Sequence, residues 1–459
     1  MKILWIDIDT LRADRLGCYG CDRGTSPNID RIAREGYVFT RAYTANSPCV
    51  PSRAAFASGH FGVRNGILTH PGPGAWLSED SCGRNGSGLF TRPLQRKGLR
   101  TASVSSFFKH DDGRETQWFR YAFDENFDPH WERRCQADFS CDVNRFALPW
   151  LERHRDEDFF LHLHYWDPHT PYNLPPEVHE PFLSNPPWAW PTREMKKTHL
   201  ARFRAFGPQR FGFRRPEEID AFLNKYDAQI HDTDRHLGEV FNRMASLGIL
   251  DETLIGITAD HGEQFGECGV YGDHCVATQA NNRVPLVVRL PGRIRPGLRS
   301  DAPVYSQDLV PTWWEHAGAK GVPSDFSSLW PLLSGRRKKT RDYLVSDHGL
   351  YTASRMVLEG DWALRLVYNC AMFGYDVLPP VSLFNLAKDP HEEHDLVGKH
   401  PEIARKIYRR MESWRTVLGI TDTTDPLRQL GNAGPRTYEF PGFFLNLELN
   451  QRGITRKFT

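Results

Sequence analysis

Lys2-Ile3-Leu4-Trp5-Ile6-Asp7-Ile8-Asp9 opens the chain as an apolar run of strand length, and its carboxylate-bearing end leads into a turn. It reads as a buried strand, and the pattern repeats outward from it. Ser26-Pro27-Asn28 opens a helical stretch from Ile29 to Glu35, and Gly36 closes it as a C′ residue. Arg100 to Phe107 alternates weakly as a strand. Phe159-Phe160-Leu161-His162-Leu163-His164-Tyr165 is a third strand, breaking at Asp167-Pro168-His169. From Pro216 to about Gly248 the period is helical, with Ile219, Leu223, Tyr226 and Ile230 on one stripe. Leu254 to Ala259 is a strand ending in Asp260-His261-Gly262, and Val284 to Leu290 is a further apolar strand. Strands alternating with helices predict an α/β fold with a large, mostly parallel central sheet. In such folds ligands gather beyond the carboxyl ends of the strands, where Asp9, His169, Asp260 and His261 stand.

The 459 residues, 39% apolar and 25% charged, suit one large domain and a smaller one. With 58 basic against 57 acidic residues there is no overall pull toward nucleic acid or membrane. No apolar run approaches the ~20 residues of a membrane-spanning helix. Met1-Lys2 runs into Ile3 to Ile6 and then charged Asp7 and Asp9, unlike a signal peptide; the expected location is cytoplasmic, or the chain is a mature form without its leader. Nine cysteines, with Cys18 and Cys21 as a C-x-x-C that has no second pair, predict reduced thiols and no structural zinc.

A basic run, Arg336-Arg337-Lys338-Lys339-Thr340-Arg341, is the best boundary and reads as a solvated linker. It divides a catalytic unit, 1–335, from a C-terminal subdomain, 336–459, with short strands around Met356 to Leu358 and Ala363 to Tyr368 and a helix from about Pro401 to Leu418. The tail from Thr421 has no periodicity. Residues 171–215 form a long loop-like insertion, rich in proline up to Pro191, carrying Trp188 and Trp190 and then basic residues from Lys196 to Arg215. Loops of that length are functional or irregular. A lid over an anionic substrate is one reading, a solvated insertion or an oligomer contact the other.

Cys49-Val50-Pro51-Ser52-Arg53 stands at the mouth of a helix, where backbone N–H groups and the helix dipole favour negative charge. By itself this predicts a reactive or merely buried thiol. Asp9 and Asp260 at strand ends can supply the oxygen ligands that a hard divalent cation requires.

Cys49-Val50-Pro51-Ser52-Arg53 also resembles the signature of the type I sulfatases, in which that cysteine is oxidised to formylglycine. Ile8-Asp9-Thr10-Leu11-Arg12-Ala13-Asp14-Arg15-Leu16-Gly17-Cys18-Tyr19-Gly20 is similar to the opening segment of many sulfatases. Asp167-Pro168-His169-Thr170-Pro171-Tyr172 resembles their central histidine motif. Thr258-Ala259-Asp260-His261-Gly262-Glu263 and Arg283-Val284-Pro285-Leu286-Val287-Val288 resemble the second metal motif and the strand after it. Leu383-Phe384-Asn385-Leu386 with Asp389-Pro390-His391-Glu392 resembles a recurrent C-terminal segment.

The resemblance implies an alkaline-phosphatase-like sandwich and a smaller C-terminal α+β subdomain. It implies a sulfuric ester hydrolase acting on a sulfate monoester, with a sulfated carbohydrate as the expected substrate. Cys49, as formylglycine, is then nucleophile and metal ligand; Asp9, Asp260 and His261 are metal ligands, and Arg53 holds the nucleophile and neutralises charge. A formylglycine-generating maturation enzyme is the implied partner. Many relatives have two adjacent aspartates at Asp9-Thr10 and asparagine at His261, so the expected ion is calcium first, magnesium or manganese next. Asp7, on the strand face of Asp9, is a substitute ligand or a polar residue paired within the sheet. The family's Lys-x-His pair falls out of register at Lys109-His110, and a lysine expected after the second metal motif is replaced near His274. His169 and His110 are therefore the candidate acid and base, and His70, His274 and Lys109 the candidate substrate contacts. The implied alternative is a phosphonate monoester or phosphodiester hydrolase with the same site; the alternative from another class is a non-catalytic anion-binding protein.

Overall fold

The computed structural model of the chain describes residues 1–70, 77–83, 86–107, 116–129, 140–202, 206–370, 373–374 and 377–433. Its elements in chain order begin with β1 (Lys2–Ile8), α1 (Pro27–Glu35), β2 (Tyr37–Phe39), β3 (Asn46–Ser47) and α2 (Cys49–Ser58). Next come β4 (Arg100–Val104), β5 (Glu125–Phe127), α3 (Ser140–Arg153), β6 (Phe159–Tyr165), α4 (Pro176–Leu183), α5 (Arg193–Ala201) and α6 (Pro216–Ser246). Then follow β7 (Thr253–Thr258), β8 (Leu286–Arg289), β9 (Leu298–Ser300), α7 (Leu309–His316), β10 (Tyr343–His348), β11 (Ala353–Glu359), β12 (Trp362–Asn369), β13 (Val381–Asn385), α8 (Pro401–Val417) and α9 (Pro426–Ala433).

β1 is buried along its whole length and lies inside an eight-stranded sheet of order β9-β2-β8-β7-β1-β6-β4-β5. Only the two pairings of β8 are antiparallel; β1 runs parallel to both β6 and β7. Helices cover both faces, which explains why these strands are apolar on both. On one face Leu4, Ile6, Leu161 and Ile257 pack against Ile219, Leu223, Tyr226 and Ile230, the predicted stripe of α6. On the other, Trp5 meets Phe56 of α2 at 4.7 Å and Trp313 of α7 at 5.3 Å between ring centroids. The α/β expectation holds, and the chain adds a second sheet of order β13-β12-β11-β10-β3, backed by Ile407, Met411 and Trp414 of α8. Its last strand, β3, comes from the N-terminal part: Asp347 pairs with Asn46 and His348 with Ser47, two residues before Cys49.

Two expectations are corrected. The insertion is not irregular, since α4 and α5 lie within it. Its Trp188 is buried, donates Nε1–H to Asp227 at 3.0 Å and carries Arg15 over its ring. Trp190 stacks on His391 at 3.7 Å, so both aromatics are committed to packing. The tail after Thr421 forms α9, whose Leu427 is buried. In the basic run Arg336 to Lys339 are exposed, as expected of a solvated stretch, and only Arg341 at its end turns inward onto Asp308. Gly36 closes α1 as expected, at φ −124° in an extended conformation. Cys18 and Cys21 are free thiols. Among the described residues no helix is long and apolar enough to cross a membrane.

Candidate active site

The carboxyl ends of β1 and β7 and the amino end of α2 meet at one point. Cys49 is the first residue of α2, a helix buried along its whole length. Its Sγ lies 3.1 Å from Nε2 of His261. Nδ1 of His261 is 2.7 Å from the Gly262 carbonyl, which can only accept, so Nδ1 carries the proton and the Nε2 lone pair faces the site. Asp260 accepts from the backbone N–H groups of Thr10 and His261 through Oδ1 and from Arg53 Nη1 at 2.7 Å through Oδ2. Thr10 holds φ +56°, in the left-handed region that β-branched residues avoid. That conformation aims its N–H at Asp260.

Arg53 is the hub. Its Nε donates to Asp7 at 2.8 Å and its Nη1 to Asp9 at 3.0 Å, with the ring of Phe107 beneath the guanidinium at 4.5 Å. Asp7 is thus the paired polar residue of the two readings. Three buried carboxylates against one guanidinium leave two negative charges. Burial opposes the charge of Asp9, but Arg53 outweighs it and holds Asp9 well below the usual carboxylate range. Burial, with Asp9 and Asp7 alongside, pushes Asp260 well above that range. Burial also pushes the Cys49 thiol up, and Asp9 and Asp260 push it further. Of the two readings of the helix mouth, the buried thiol is the one that holds, because burial first and two nearby carboxylates second outweigh the helix dipole.

A divalent cation fits these residues. Donor atoms of Asp9, Cys49, Asp260 and His261 lie within 4.8 Å of one another. Oδ1 of Asp9 is buried without a hydrogen-bond partner, and the carboxylates outnumber the one guanidinium, an excess of negative charge that a cation would offset. A second grouping, Cys49, His261 and His274, also falls within that distance. His274 is the weaker ligand: burial disfavours its charge, but the bond and charge of Glu263, aided by Asp273, raise it to about 9. It sits as a cation with its ring 4.2 Å from that of His261.

His169 joins this group, its ring 5.6 Å from His274 and 4.6 Å from Trp166. His70 is buried, but the metal-ligating groupings of described residues do not include it. Lys109 and His110 lie outside the described residues.

Sequence reasoning missed four polar residues of the sheet. Ser103 and Ser105 at the end of β4 and His162 and His164 of β6 are all fully buried beneath Asp7 and Asp9. The available signal was the spacing: two histidines at i and i+2 in an otherwise apolar strand share one face. Arg210 of the insertion pairs with Asp273 beside His274, another contact that no local pattern announces.

Two family descriptions match the chain: Sulfatase over residues 2–319, and N-sulphoglucosamine sulphohydrolase, C-terminal, over residues 266–416. The N-acetylglucosamine-6-O-sulfatase of Bacteroides thetaiotaomicron is 23% identical over 90% of this chain and 85% of that protein. A solved structure in complex with its substrate D-glucosamine-2-N,6-O-disulfate superimposes with a TM-score of 0.73 at 21% identity, covering 92% of this chain and 99% of the other. The phosphonate monoester hydrolase of Silicibacter pomeroyi superimposes at 0.70 and 20% identity, covering 92% and 96%.

Proposed function

The chain belongs to the sulfatase family, and from that premise we propose that it hydrolyses a sulfate monoester carried by a sugar, after Cys49 has been oxidised to formylglycine by a maturation enzyme. The observation that carries this reading is the seat of Cys49. Its Sγ lies 3.1 Å from His261 Nε2 and within 4.8 Å of donor atoms of Asp9 and Asp260, where burial and the carboxylates push the thiol up and make it a poor nucleophile. An aldehyde hydrate at this position supplies an oxygen nucleophile and an exit that re-forms the carbonyl without attack of water. Asp9, Asp260, His261 and the side chain at position 49 would hold the cation, calcium first, which supplies Lewis-acid stabilisation of the transferring group.

The remaining work belongs to this chain's own side chains. Arg53 Nη2 is a buried donor with no hydrogen-bond partner, suited to an oxygen of the nucleophile or the ester. His274, kept cationic by Glu263, takes the place of the missing lysine toward a sulfonyl oxygen. His169, beside His274, is placed to protonate the departing sugar hydroxyl or to take a proton back. The sugar as substrate is supported by the glucosamine-directed sulfatase among the relatives.

A second reading, phosphonate monoester or phosphodiester hydrolysis with the same site, is kept in view by the phosphonate monoester hydrolase among the structures of this fold. Protein made with a formylglycine-generating enzyme separates the two. The tryptic peptide Ala42–Arg53 is expected to be lighter by roughly 18 Da, and kcat/KM to be higher for glucosamine 6-sulfate than for a phenyl phosphonate ester. A preference for the phosphonate overturns the sulfatase reading, and an unconverted thiol in fully active protein overturns the formylglycine.

A further inference from the structure

Beneath the ligand cluster the sheet carries two polar rungs that the chemistry above does not use. β4, β6 and β1 are adjacent and parallel, with Ser103 in register with His162 and His164 with Asp7. On their α2-facing side the strands begin apolar, with Ile3 and Phe160 in one core. They turn polar toward their carboxyl ends. In one rung Ser103 Oγ lies 2.8 Å from His162 Nδ1, and His162 Nε2 approaches Asp7 Oδ2 to 3.5 Å. In the other Ser105 Oγ lies 3.0 Å from His164 Nδ1, and His164 Nε2 is 3.4 Å from Asp9 Oδ2.

The direction of the second rung is set by its ends. Asp9 Oδ2 already accepts from Arg53 Nη1 at 3.0 Å, and as an ion-paired carboxylate oxygen it can only accept, so Nε2 of His164 carries the proton. Nδ1 then accepts from the Ser105 hydroxyl, whose own oxygen accepts the Phe107 N–H at 3.1 Å. Asp9 Oδ2 is consequently tied on two sides, by His164 and by Arg53 Nη1. Oδ1 is the oxygen left over: it has no hydrogen-bond partner and lies 4.0 Å from His261 Nε2.

Resting on the metal-site reading above, we propose that Ser105 and His164 are positioning residues for the cation: they clamp one oxygen of Asp9 so that the other is presented to the ion. An imidazole buried in a strand is otherwise costly, and an apolar residue would fill the place at less expense. Partners one shell out from metal ligands, removed singly, typically cost about 10–100-fold in metal affinity.

The test is calorimetric titration of Ca2+ or Mn2+ into chelator-stripped full-length protein whose Cys49 conversion has been measured by mass. His164→Leu is expected to weaken binding about 10–100-fold. His164→Gln, whose amide N–H can stand in for Nε2–H, is expected to recover much of that loss. The thermal midpoint of the stripped His164→Leu protein is expected not to fall. His162→Leu removes the same ring one rung away and is expected to leave cation affinity unchanged. Unaltered affinity in His164→Leu, an equal loss in His162→Leu, or no recovery with Gln each overturns the proposal. If His164→Leu does not fold, Ser105→Ala replaces it, with a loss of about threefold or more expected and none overturning the idea. A wild-type protein that binds neither ion overturns the metal site as well, whereas intact binding with no esterase activity overturns only the proposed function.

Discussion

A guanidinium facing three buried carboxylates cannot neutralise them, and the residues around Arg53 divide according to how each copes. Asp9 stays charged against Arg53, Asp260 is pushed toward its neutral form, and His261 is driven neutral by burial. A histidine removed from that group, His348, shows the cost of burying an imidazole more simply. Its Nε2 donates to the Leu350 carbonyl at 2.7 Å and its Nδ1 faces Ser47 Oγ at 2.9 Å. Burial pushes its pKa down to about 3 from 6.5. The unfolded chain therefore binds this proton below pH 6.5 while the folded chain does not, so the contribution is present above that pH and lost as pH falls. Each unit of acidification below it is expected to cost ~1.4 kcal/mol until the ring protonates. Thermal midpoints between pH 7 and 4 check this: His348→Gln should flatten the acid-side slope, and an unchanged slope would remove His348 as its source.

At the scale of elements, the loop after β7 does the precise work. Gly262 accepts the Nδ1 proton of His261 through its carbonyl and donates its own N–H to the Asn281 carbonyl at 2.6 Å. A Cβ at Gly262 would stand 2.0 Å from the Ala280 carbonyl oxygen, a backbone atom that cannot swing aside. Gly262→Ala is accordingly expected to destabilise by ~1–3 kcal/mol through overpacking. It should also lower kcat/KM by about tenfold or more, because displacement of a catalytic group by an ångström carries such penalties. Urea titration and steady-state kinetics measure the two effects, and a variant equal to wild type in both would show that the loop relaxes freely. α2 makes the complementary contribution, since its complete burial removes water from around Cys49 and Arg53.

For the whole molecule, the strand before Cys49 ties the two sheets together. β3 pairs with β10 of the C-terminal sheet, and Tyr43, Ala45, Phe61 and Leu68 share a core with Val357, Leu364 and Trp414. A fragment ending at residue 335 would leave these side chains uncovered and β3 without its partner. It is expected to lack a cooperative melting transition and to bind a hydrophobic dye. Cooperative melting near the full-length midpoint would instead mark 1–335 as a domain that folds alone. The insertion is built in just as firmly: Lys196 pairs with Asp220 of α6, and Trp188 and Trp190 are packed.

Much of this protein is written locally. β1, β6, β7, α6 and α8 follow from strand-length apolar runs and 3.6-residue stripes, because burial on two faces or one stripe leaves a periodic trace in the chain. Asp9, Cys49, Asp260 and His261 were legible because each stands at a strand end or a helix start, and Arg53 through the resemblance of its motif to the sulfatases. Which residues face them from other strands is a matter of register and layer packing, which no window of sequence contains. The Ser105–His164–Asp9 rung, the Glu263–His274 pair and the sharing of β3 between the two sheets were decided only by tertiary structure. The charge environment of Cys49 belongs with them, since it is contributed by residues more than 200 positions away as well as by near neighbours in the chain.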